Sequence, residues 1–468
     1  MKILMVSSEA APFAKSGGLA DVVGSLPAAL GELGHEAAVL LPRYGSVPLA
    51  GAVRVLDPQP IWLGGTRYDT ALYRQDRGVP FYLLDYPPFY QRDGLYGNSE
   101  GDFPDNHLRF ALLARAALEV ARRVFRPRVI HCHDWQAGLV PAYLRGPLAN
   151  DPTFLGVRTL FTIHNLGYPG RCPGAVLPQL GLDPAQFHID GLEFLGDISF
   201  LKAGLVYADA LSTVSRTYAR EIQTSEQGFG LDSVLRSRSR VLHGIVNGVD
   251  YSLWNPETDP YIAAHYTASN LSGKRRCKRD LVRRMGLPGE ALEKPLVGIV
   301  SRFAAQKGLD LIADIAEPLA AGDLSLVALG SGEAVYEELF RDLAAAHPSS
   351  VAVRIGYDDR LAHQIEAGSD IFLMPSHYEP CGLNQIYSLR YGTIPVVRAT
   401  GGLDDTIEEG TGFKFQEYSG IALWEALSAA LAAWRDQDEW TARMKRGMRK
   451  DFSWKVSAGE YSKLYRQL

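Results

Sequence analysis

The sequence predicts an α/β protein made of two doubly wound domains, and three observations carry that prediction. Short apolar runs alternate with longer helix-like segments, a pattern typical of parallel sheets joined by right-handed helical crossovers. The runs are apolar almost throughout, as strands covered on both faces are. The pattern occurs twice, on either side of a polar stretch without a predicted strand, and 468 residues suffice for two large domains.

Strands and helices are predicted in both halves of the chain. In the first half the strands are Lys2–Ser7, Ala37–Leu41, Val79–Leu84, Val129–His133, Thr159–His164 and Ala210–Val214, and the clearest helix is Leu108–Phe125. In the second half the strands are Leu296–Val300, Leu324–Leu329, Val351–Ile355, Ile371–Met374 and Ile394–Val397. The helices between them are Leu309–Leu319, Ala334–Ala346, Leu361–Ala367, Leu383–Tyr391 and Ile421–Trp434.

The boundary between the domains is predicted near Val246–Val249, where the polar stretch begins. This gives an N-terminal domain over residues 1–245 and a C-terminal domain over residues 246–454. Residues 455–468 are amphipathic and are expected to form a helix that packs back on the first domain. Because ligands of doubly wound sheets bind beyond the carboxyl ends of the strands, we expect the site in a cleft between the domains.

Composition and charge argue against several classes of protein. The net charge of -5 and the lack of a long basic run argue against a nucleic-acid partner. No run of about 18 apolar residues indicates a membrane span, and the first apolar run, Ile3–Val6, is too short for a signal peptide. The four scattered cysteines, Cys132, Cys172, Cys277 and Cys381, fit a reduced, cytoplasmic protein without a disulfide framework.

A glycine pair follows the first predicted strand, in "KSGGLADV". Gly17 and Gly18 allow a ligand to approach the backbone closely. The helix that follows offers N–H groups to a phosphate, and Lys15 adds a mobile cation. A plain strand–helix turn with a surface lysine explains the local pattern equally well. The loop is neither a dinucleotide fingerprint nor a P-loop, because their spacings are absent.

Two loops of the second half also suit an anion. In "SRFAAQKG", Arg302 and Lys307 lie between an apolar strand and a helix, where a guanidinium fork and a compact ammonium can bind a diphosphate. A solvated strand end is the alternative. In "RATGGLDD", the backbone of Thr400–Gly402 follows a strand and opens a helix, so its N–H groups suit the same anion.

Glu379, in "PSHYEPCGLNQIYSLRYG", lies on a loop between a predicted strand and a helix that begins near Gly382. A carboxylate at a helix N-terminus stays ionised. It can accept hydrogen bonds from sugar hydroxyls or stabilise a cationic transition state. For an isolated glutamate, a role in helix capping would be favoured. Cys381 is interpreted as a lining residue, since no paired histidine is visible.

Two strand ends carry histidines. His131 and His133 share one face of a strand, but no third ligand supports a metal site. They are interpreted as lining the strand end together with Asp134 and Trp135. In "FTIHNLGY", His164 and Asn165 lie at another carboxyl end. A lone histidine is usually structural, but this position points to the ligand side of the sheet.

Taken together, the motifs resemble those of one glycosyltransferase family, which comprises the bacterial glycogen synthases and the plant starch synthases. The resemblance spans nearly the whole chain, through "KSGGLADV", "HCHDW", "FTIHN", "VNGVD", "SRFAAQKG", "EPCGLNQ" and "TGGLDDT" in order. It implies the GT-B fold, two Rossmann-like domains across a deep cleft. It also implies transfer of glucose from ADP-glucose to the non-reducing end of an α-1,4-glucan such as glycogen, with retention and without a metal ion.

The resemblance also implies roles for individual residues. The implied catalytic set is Glu379, His164, Arg302, Lys307 and Lys15. The implied donor contacts are Lys15, Gly17 and Gly18, Arg302 and Lys307 on the diphosphate, the backbone of Thr400, Gly401 and Gly402, Cys381, Gly382, Leu383 and Asn384, and Tyr357 on the adenine. The sugar and acceptor side would include Asp21, Tyr96, Asp134, Trp135, Asn165 and Asn247.

The sequence departs from the family pattern at two positions. Asn384 stands where some members carry threonine. Tyr387 stands eight residues after Glu379, where retaining transferases often carry a second glutamate. Retention normally means a double displacement with a carboxylate nucleophile. Without a paired carboxylate, we expect a front-face route in which the departing phosphate helps to deprotonate the acceptor hydroxyl.

Other interpretations of the sequence predict different chemistry. An NAD-dependent dehydrogenase would need the dinucleotide fingerprint, which is absent. A PLP-dependent glucan phosphorylase would need a Schiff-base lysine, and no lysine is marked for that role, so no PLP is expected. A non-catalytic glucan-binding protein has no need of the phosphate-side cations. A UDP-glucose-dependent transferase remains the main alternative.

Overall fold

The computed structural model describes residues 1–321 and 323–468. The chain divides into two compact units. Unit 1 comprises Met1–Gly248 and Trp454–Leu468, and unit 2 comprises Val249–Ser453. Among the described residues, no helix combines the length and the apolar character that crossing a bilayer requires.

Unit 1 is built on a nine-stranded sheet. The strands of unit 1, including those of two smaller sheets, are β1 Lys2–Val6, β2 Glu36–Pro42, β3 Val53–Leu63, β4 Thr66–Asp76, β5 Pro80–Asp85, β6 Gly97–Asn98, β7 Gly101–Asp102, β8 Val129–His133, β9 Arg158–Ile163, β10 Arg171–Pro173, β11 Glu193–Phe194, β12 Asp197–Ser199, β13 Ala210–Thr213 and β14 Leu242–Gly244. The large sheet has the order β14-β13-β9-β8-β1-β2-β5-β4-β3. Pairing is antiparallel where β4 meets β3 and β5, and it is parallel elsewhere in this sheet.

The helices of unit 1 cover this sheet. They are α1 Gly18–Glu32, α2 Pro87–Tyr90, α3 Asn106–Val120, α4 Asp134–Ala137, α5 Leu139–Arg145, α6 Leu177–Leu180, α7 Phe200–Tyr207, α8 Arg216–Glu221 and α9 Asp232–Ser237. Several begin at a side-chain cap: the Ser215 hydroxyl accepts the N–H of Tyr218 at the start of α8. α1 instead begins after Gly17, which has no side chain to cap it.

Unit 2 is built on a six-stranded parallel sheet. Its elements are α10 Ser272–Arg284, β15 Leu296–Phe303, α11 Asp310–Asp314, α12 Ala316–Ala321, β16 Ser325–Gly332, α13 Ala334–Ala346, β17 Val351–Ile355, α14 Asp359–Gly368, β18 Ile371–Met374, α15 Asn384–Arg390, β19 Ile394–Arg398, α16 Gly401–Thr406, β20 Phe413–Phe415, α17 Gly420–Trp434 and α18 Gln437–Met448. The sheet order is β17-β16-β15-β18-β19-β20. The central strands are buried along their apolar residues on both faces.

The last helix, α19 Trp454–Gln467, returns to unit 1. The Ser462 hydroxyl lies 2.7 Å from Nε2 of His35, and the Tyr465 hydroxyl lies 2.8 Å from Nδ1 of His131. A Cβ on Gly248 would lie 2.6 Å from the backbone of Trp454, so the chain approaches α19 closely where the two segments of unit 1 meet.

Most predicted strands occur within one to three residues of their predicted bounds, and β8, β17 and β18 match them fully. The predicted helix Leu309–Leu319 is interrupted at Ile315, between α11 and α12. The antiparallel hairpin of β3 and β4 was not predicted from the sequence. From Tyr68 to Tyr73, β4 alternates buried residues with exposed or half-buried ones, so it lacks the continuous apolar run by which the other strands were recognised.

Candidate active site

The carboxyl ends of adjacent strands collect the predicted residues of unit 1. β1 pairs with β8, and β8 pairs with β9, all in parallel. The loops that follow these three strands carry Lys15, Asp134 and His164. The parallel register therefore places three separate motifs at one edge of the sheet, as expected for a ligand-binding edge.

The glycine loop after β1 is held by Glu9, a buried residue that the sequence analysis did not single out. Oε1 of Glu9 accepts the hydroxyl of Ser16 at 2.6 Å, and its other oxygen accepts the backbone N–H of Ser16. The hydroxyl of Tyr96 also donates to Glu9. The only signal in the sequence was a carboxylate directly after a buried strand.

Lys15 and the glycines lie at the start of α1. Nζ of Lys15 donates to Asp21 at 2.7 Å, and the Lys15 side chain is 56% exposed. Gly17 has extended backbone, φ -162°, which any residue can adopt. Apart from Gly17 itself and its two neighbours in the chain, no described residue has an atom within 4 Å of the position that a Cβ on Gly17 would take. The packing of unit 1 therefore does not require glycine at position 17.

Asp134 fixes the loop that follows β9. Its backbone is in the left-handed region, φ 55°. Its Oδ1 accepts the N–H groups of His164 at 2.7 Å and Asn165 at 3.4 Å. Burial raises the pKa of Asp134 to about 7, against the lowering effect of these two hydrogen bonds. The carboxyl group thus positions the backbone of His164.

Three histidine rings lie together beneath this edge. Nδ1 of His133 lies 3.0 Å from Nε2 of His164, and the rings of His131 and His133 are 4.0 Å apart. His131 bonds Tyr465 and Thr162 through its two ring nitrogens, which leaves it no lone pair for a metal. Across residues 1–321 and 323–468, no group of three His, Cys, Asp or Glu side chains is arranged to hold a metal ion.

The remaining predicted residues of unit 1 support the loops. Trp135 packs edge-on against Phe110, 4.9 Å between ring centroids. Its ring also lies 2.4 Å from where a Cβ on Gly170 would be. Oδ1 of Asn165 accepts the N–H of Gly167. Asn247 is buried, and its Oδ1 has no hydrogen-bond partner among the described residues.

In unit 2, Lys307 and Glu379 form an ion pair at the corresponding edge of the sheet. Lys307 ends a turn after β15, and Glu379 lies after β18, the parallel neighbour of β15. Nζ of Lys307 lies 2.6 Å from Oε2 of Glu379, and the two side chains are 18% and 8% exposed. The hydroxyl of Ser376 donates to the same oxygen at 3.0 Å. The predicted cation and carboxylate are therefore direct partners.

Two further predicted residues of unit 2 are exposed. Arg302 lies near the end of β15, and its guanidinium donates to Gln306 at 3.4 Å. Tyr357 follows β17 and is 88% exposed. An aromatic side chain left in water to that extent gains nothing from the core of unit 2, and its ring faces are accessible to a planar group.

The second glycine loop differs from the first because its own unit requires the glycines. Gly401 has φ 47°, and a Cβ there would lie 1.9 Å from the carbonyl oxygen of Glu379. A Cβ on Gly402 would lie 2.1 Å from the carbonyl oxygen of Cys381. The N–H of Gly402 donates to the backbone carbonyl of Glu379, and the N–H of Thr400 donates to the backbone carbonyl of Arg398. Close packing of two loops explains this glycine pair, and two of the N–H groups expected to bind an anion are engaged.

The segment after Glu379 is tightly held. Gly382 is in the left-handed region, φ 71°, and Leu383 precedes the first residue of α15. Nδ2 of Asn384 donates to the carbonyl of Val300 at 2.7 Å, so Asn384 ties α15 to β15. Tyr387 stacks on Trp254, 4.0 Å between ring centroids. The position of an expected second carboxylate is thus part of the packed interior.

Known proteins resemble this chain along its whole length. The family model "Starch synthase catalytic domain" matches residues 2–237, and "Glycosyl transferases group 1" matches residues 288–451. A glycogen synthase of Koribacter versatilis is 51% identical, over 99% of this chain and 98% of the relative. One from Anaeromyxobacter dehalogenans (strain 2CP-C) is 50% identical over 100% of both.

Solved structures resemble it too. The catalytic domain of starch synthase IV from Arabidopsis thaliana, bound to ADP and acarbose, is 32% identical, with a TM-score of 0.89 over 100% of this chain and 99% of that one. Sucrose-phosphate synthase from Thermosynechococcus elongatus is 20% identical with a TM-score of 0.61, over 100% and 98%, and shows the fold alone. The predicted fold class, two α/β domains with parallel sheets, is confirmed.

Proposed function

The chain belongs to the glycogen and starch synthase family of glycosyltransferases, and from that premise we propose that it lengthens α-1,4-glucans with glucose from ADP-glucose. The family and the enzyme class predicted from the motifs are confirmed. ADP as the nucleotide is supported by the starch synthase whose structure holds ADP and acarbose. The observation that carries the proposal is the Lys307–Glu379 pair at the carboxyl edge of the sheet of unit 2, together with the exposed Arg302 near the end of β15.

Charge on the leaving group defines the proposed task of the cations. Breaking the glycosidic bond of a nucleotide sugar leaves a diphosphate with added negative charge. Arg302 and Lys307 are proposed to neutralise that charge, and Lys15 of unit 1 is proposed to contact the donor as well. Loss of one such preorganised contact typically costs about 10²–10³ in turnover. In this scheme the reaction proceeds without a metal ion.

Glu379 is proposed to bind hydroxyls of the donor glucose together with the backbone of Cys381 and Gly382. Its ion pair with Lys307 supports this, because Lys307 holds the carboxylate in one orientation. The same lysine can then contact the sugar side and the phosphate side of the scissile bond. A Glu379→Ala variant that kept full activity would contradict this role.

Retention of configuration is proposed to occur on the front face. A double displacement needs a carboxylate close to the anomeric carbon. Tyr387, eight positions after Glu379, is 9% exposed and stacked on Trp254, so it supplies no nucleophile. The departing phosphate would instead take the proton of the acceptor hydroxyl. Isolation of a covalent glucosyl-enzyme after mixing with donor alone would contradict this route.

The nucleotide preference is proposed to depend on Tyr357. Its exposure suits stacking on a purine, whose larger face gains more from stacking than a pyrimidine does. The test compares ADP-glucose and UDP-glucose as donors to a short maltodextrin, with nucleotide release and chain extension both measured. We expect kcat/KM to be higher for ADP-glucose than for UDP-glucose, and the ratio of the two values should be smaller in a Tyr357→Ala variant. A preference for UDP-glucose would overturn the ADP assignment while leaving glucan elongation intact.

The cellular setting is proposed from the thiols. All four cysteines are buried thiols in the described chain, which is the expected state in a reducing compartment such as the cytoplasm. A nucleotide sugar is also an intracellular metabolite. Nucleic acid and membrane are not proposed as partners.

A further inference from the structure

The cluster of His131, His133 and His164 in unit 1 includes one ring whose function the proposed reaction leaves open. The resemblance implies that His164 sits at the reacting sugar, and His131 is satisfied on both ring nitrogens by Tyr465 and Thr162. His133 lies between them. It contacts His164 through one nitrogen, 3.0 Å from Nδ1 of His133 to Nε2 of His164. His133 is therefore the ring that can control the state of His164.

The second nitrogen of His133 decides the direction of this hydrogen bond. Nε2 of His133 is buried and has no hydrogen-bond partner within the described chain. Burial lowers the pKa of His133 well below its usual value and that of His164 to about 3, so each neutral ring carries a single proton. That proton sits on one nitrogen of each ring, and the other nitrogen can only accept.

Two arrangements satisfy the contact. In the first, Nδ1–H of His133 donates to Nε2 of His164, and the bare Nε2 of His133 remains in the interior. In the second, Nε2–H of His164 donates to His133, and the proton of His133 lies on Nε2 without an acceptor. Orphaned buried N–H groups are rarer in proteins than under-satisfied acceptors. The first arrangement is therefore favoured.

We infer that His133 is a positioning residue that holds His164 in the tautomer protonated at Nδ1. The backbone that carries this ring is held as well, because Oδ1 of Asp134 accepts the backbone N–H of His164 at 2.7 Å. In this state the nitrogen that His164 presents away from His133 is an N–H donor.

This assignment rests on the proposed function in one respect, the contact of His164 with the sugar. A ring protonated at Nδ1 can donate a hydrogen bond to a hydroxyl oxygen of the donor glucose. It cannot accept the proton of the acceptor hydroxyl at that nitrogen. His164 is thereby assigned as a hydrogen-bond donor and not as the general base, which agrees with a route in which the phosphate takes that proton.

The first test needs no substrate. Full-length protein labelled with ¹⁵N-histidine gives nitrogen chemical shifts that distinguish a protonated from a bare ring nitrogen, and a His164→Gln variant identifies the His164 signals. We expect protonation at Nδ1 of His164 in the wild-type chain. A wild-type spectrum with the proton on Nε2 overturns the inference, whether or not the chain transfers glucose.

The second test uses two substitutions of His133. In His133→Asn, the side-chain amide can supply an N–H near the place of Nδ1, so the His164 tautomer and most of the activity should persist. In His133→Leu the donor is lost. The Nε2–H tautomer should then appear, and kcat/KM should fall about tenfold, the ratio expected for one ordinary hydrogen bond. His347→Asn, a substitution in unit 2 outside both sets of loops, serves as the matched control and should leave the kinetics unchanged.

The outcomes separate positioning from simple packing. Equal activity loss in His133→Asn and His133→Leu, with the His164 tautomer unchanged in both, would contradict the positioning role. If His133→Leu does not fold, the wild-type and His133→Asn spectra still decide the tautomer. If the tautomer is as inferred but no donor supports glucan extension, the proposed function fails and the role of His133 toward His164 stands.

Discussion

Breaking the Lys307–Glu379 pair should reveal a strong coupling free energy in unit 2. The charged atoms are 2.6 Å apart, which corresponds to about 6 kcal/mol of Coulomb attraction at an effective dielectric of about 20. Desolvation of two largely buried side chains offsets several kcal/mol of that. A coupling free energy of about 1.5–3 kcal/mol should remain, within the range measured for close, desolvated charge pairs.

The assay is a double-mutant cycle of Lys307→Met and Glu379→Gln. The full chain is unfolded in urea, and the unfolding is monitored by hydrogen exchange in peptides from β15 and β18. This readout reports the stability of unit 2 separately from that of unit 1. Each single variant should lose stability because it leaves the other side chain without its charge partner. The loss for a fully buried pair is about 3 kcal/mol. The double variant should lose less than the sum of the two.

A surface pair in the same unit provides the control. Glu337 and Arg341 of α13 are 2.7 Å apart, but the Arg341 side chain is 56% exposed. Their cycle, Arg341→Met with Glu337→Gln, should give a coupling free energy of about 0.3–0.5 kcal/mol. A Lys307–Glu379 coupling no larger than this would refute the reasoning, because the pair would then behave as a solvated contact.

Three further outcomes are expected. Gly17→Ala should leave the free energy of unfolding unchanged, because the new Cβ meets no residue beyond its chain neighbours, but it should lower kcat/KM if the donor contacts this glycine as the resemblance implies. Gly401→Ala, at φ 47°, should instead destabilise unit 2 by at least about 1 kcal/mol. Urea titration and kinetics of both variants test this, and a destabilised Gly17→Ala variant would contradict it. Because the folded-state pKa of Asp134 is raised to about 7, its contribution to stability should be lost as pH rises from about 4 to 7. Asp134→Asn should remove that part of the pH dependence. If the free energy of unfolding changed with pH equally steeply in the variant and the wild type, the result would argue against the raised pKa. Activity should survive exhaustive treatment with EDTA, and its loss with recovery on adding a divalent ion would contradict the charge-neutralising role of the cations.

The sequence predicted the parallel strands well because burial on both faces leaves a continuous apolar run. β8 and β18, which are buried almost throughout, match their predicted bounds for that reason. The hairpin of β3 and β4 was missed because one-sided burial gives an alternating pattern, which is weaker in a single sequence. The continuous apolar run that identified the parallel strands was thus absent from the antiparallel strands of the hairpin.

Site residues were predictable where a motif follows a strand, and less so where the chemistry depends on contacts between distant segments. Lys307 and Glu379 were both recognised, but their direct pairing arises from the parallel neighbours β15 and β18. Glu9 was missed since it supports the glycine loop through hydrogen bonds to Ser16 and Tyr96. Its function lies in geometry that residue type and spacing do not encode.

The two glycine pairs also show that similar motifs can have different structural causes, which the sequence alone does not distinguish. "SGGL" and "TGGL" look equivalent in sequence. Gly401 and Gly402 are explained by close approach to the loop of Glu379 and Cys381, whereas Gly17 has open space beside it. The donor contact that the resemblance implies for both glycine pairs is therefore a prediction about the first loop more than about the second.

The most direct test of the central claim is analysis of the glucan formed by the wild-type chain. Maltoheptaose and ADP-glucose would be incubated with the protein, and products would be separated before and after digestion with an enzyme specific for α-1,4 linkages. The account predicts longer oligosaccharides in single-glucose steps, one ADP released per step, and complete digestion of the added residues. Release of ADP without lengthening, or lengthening through a digestion-resistant linkage, would contradict it.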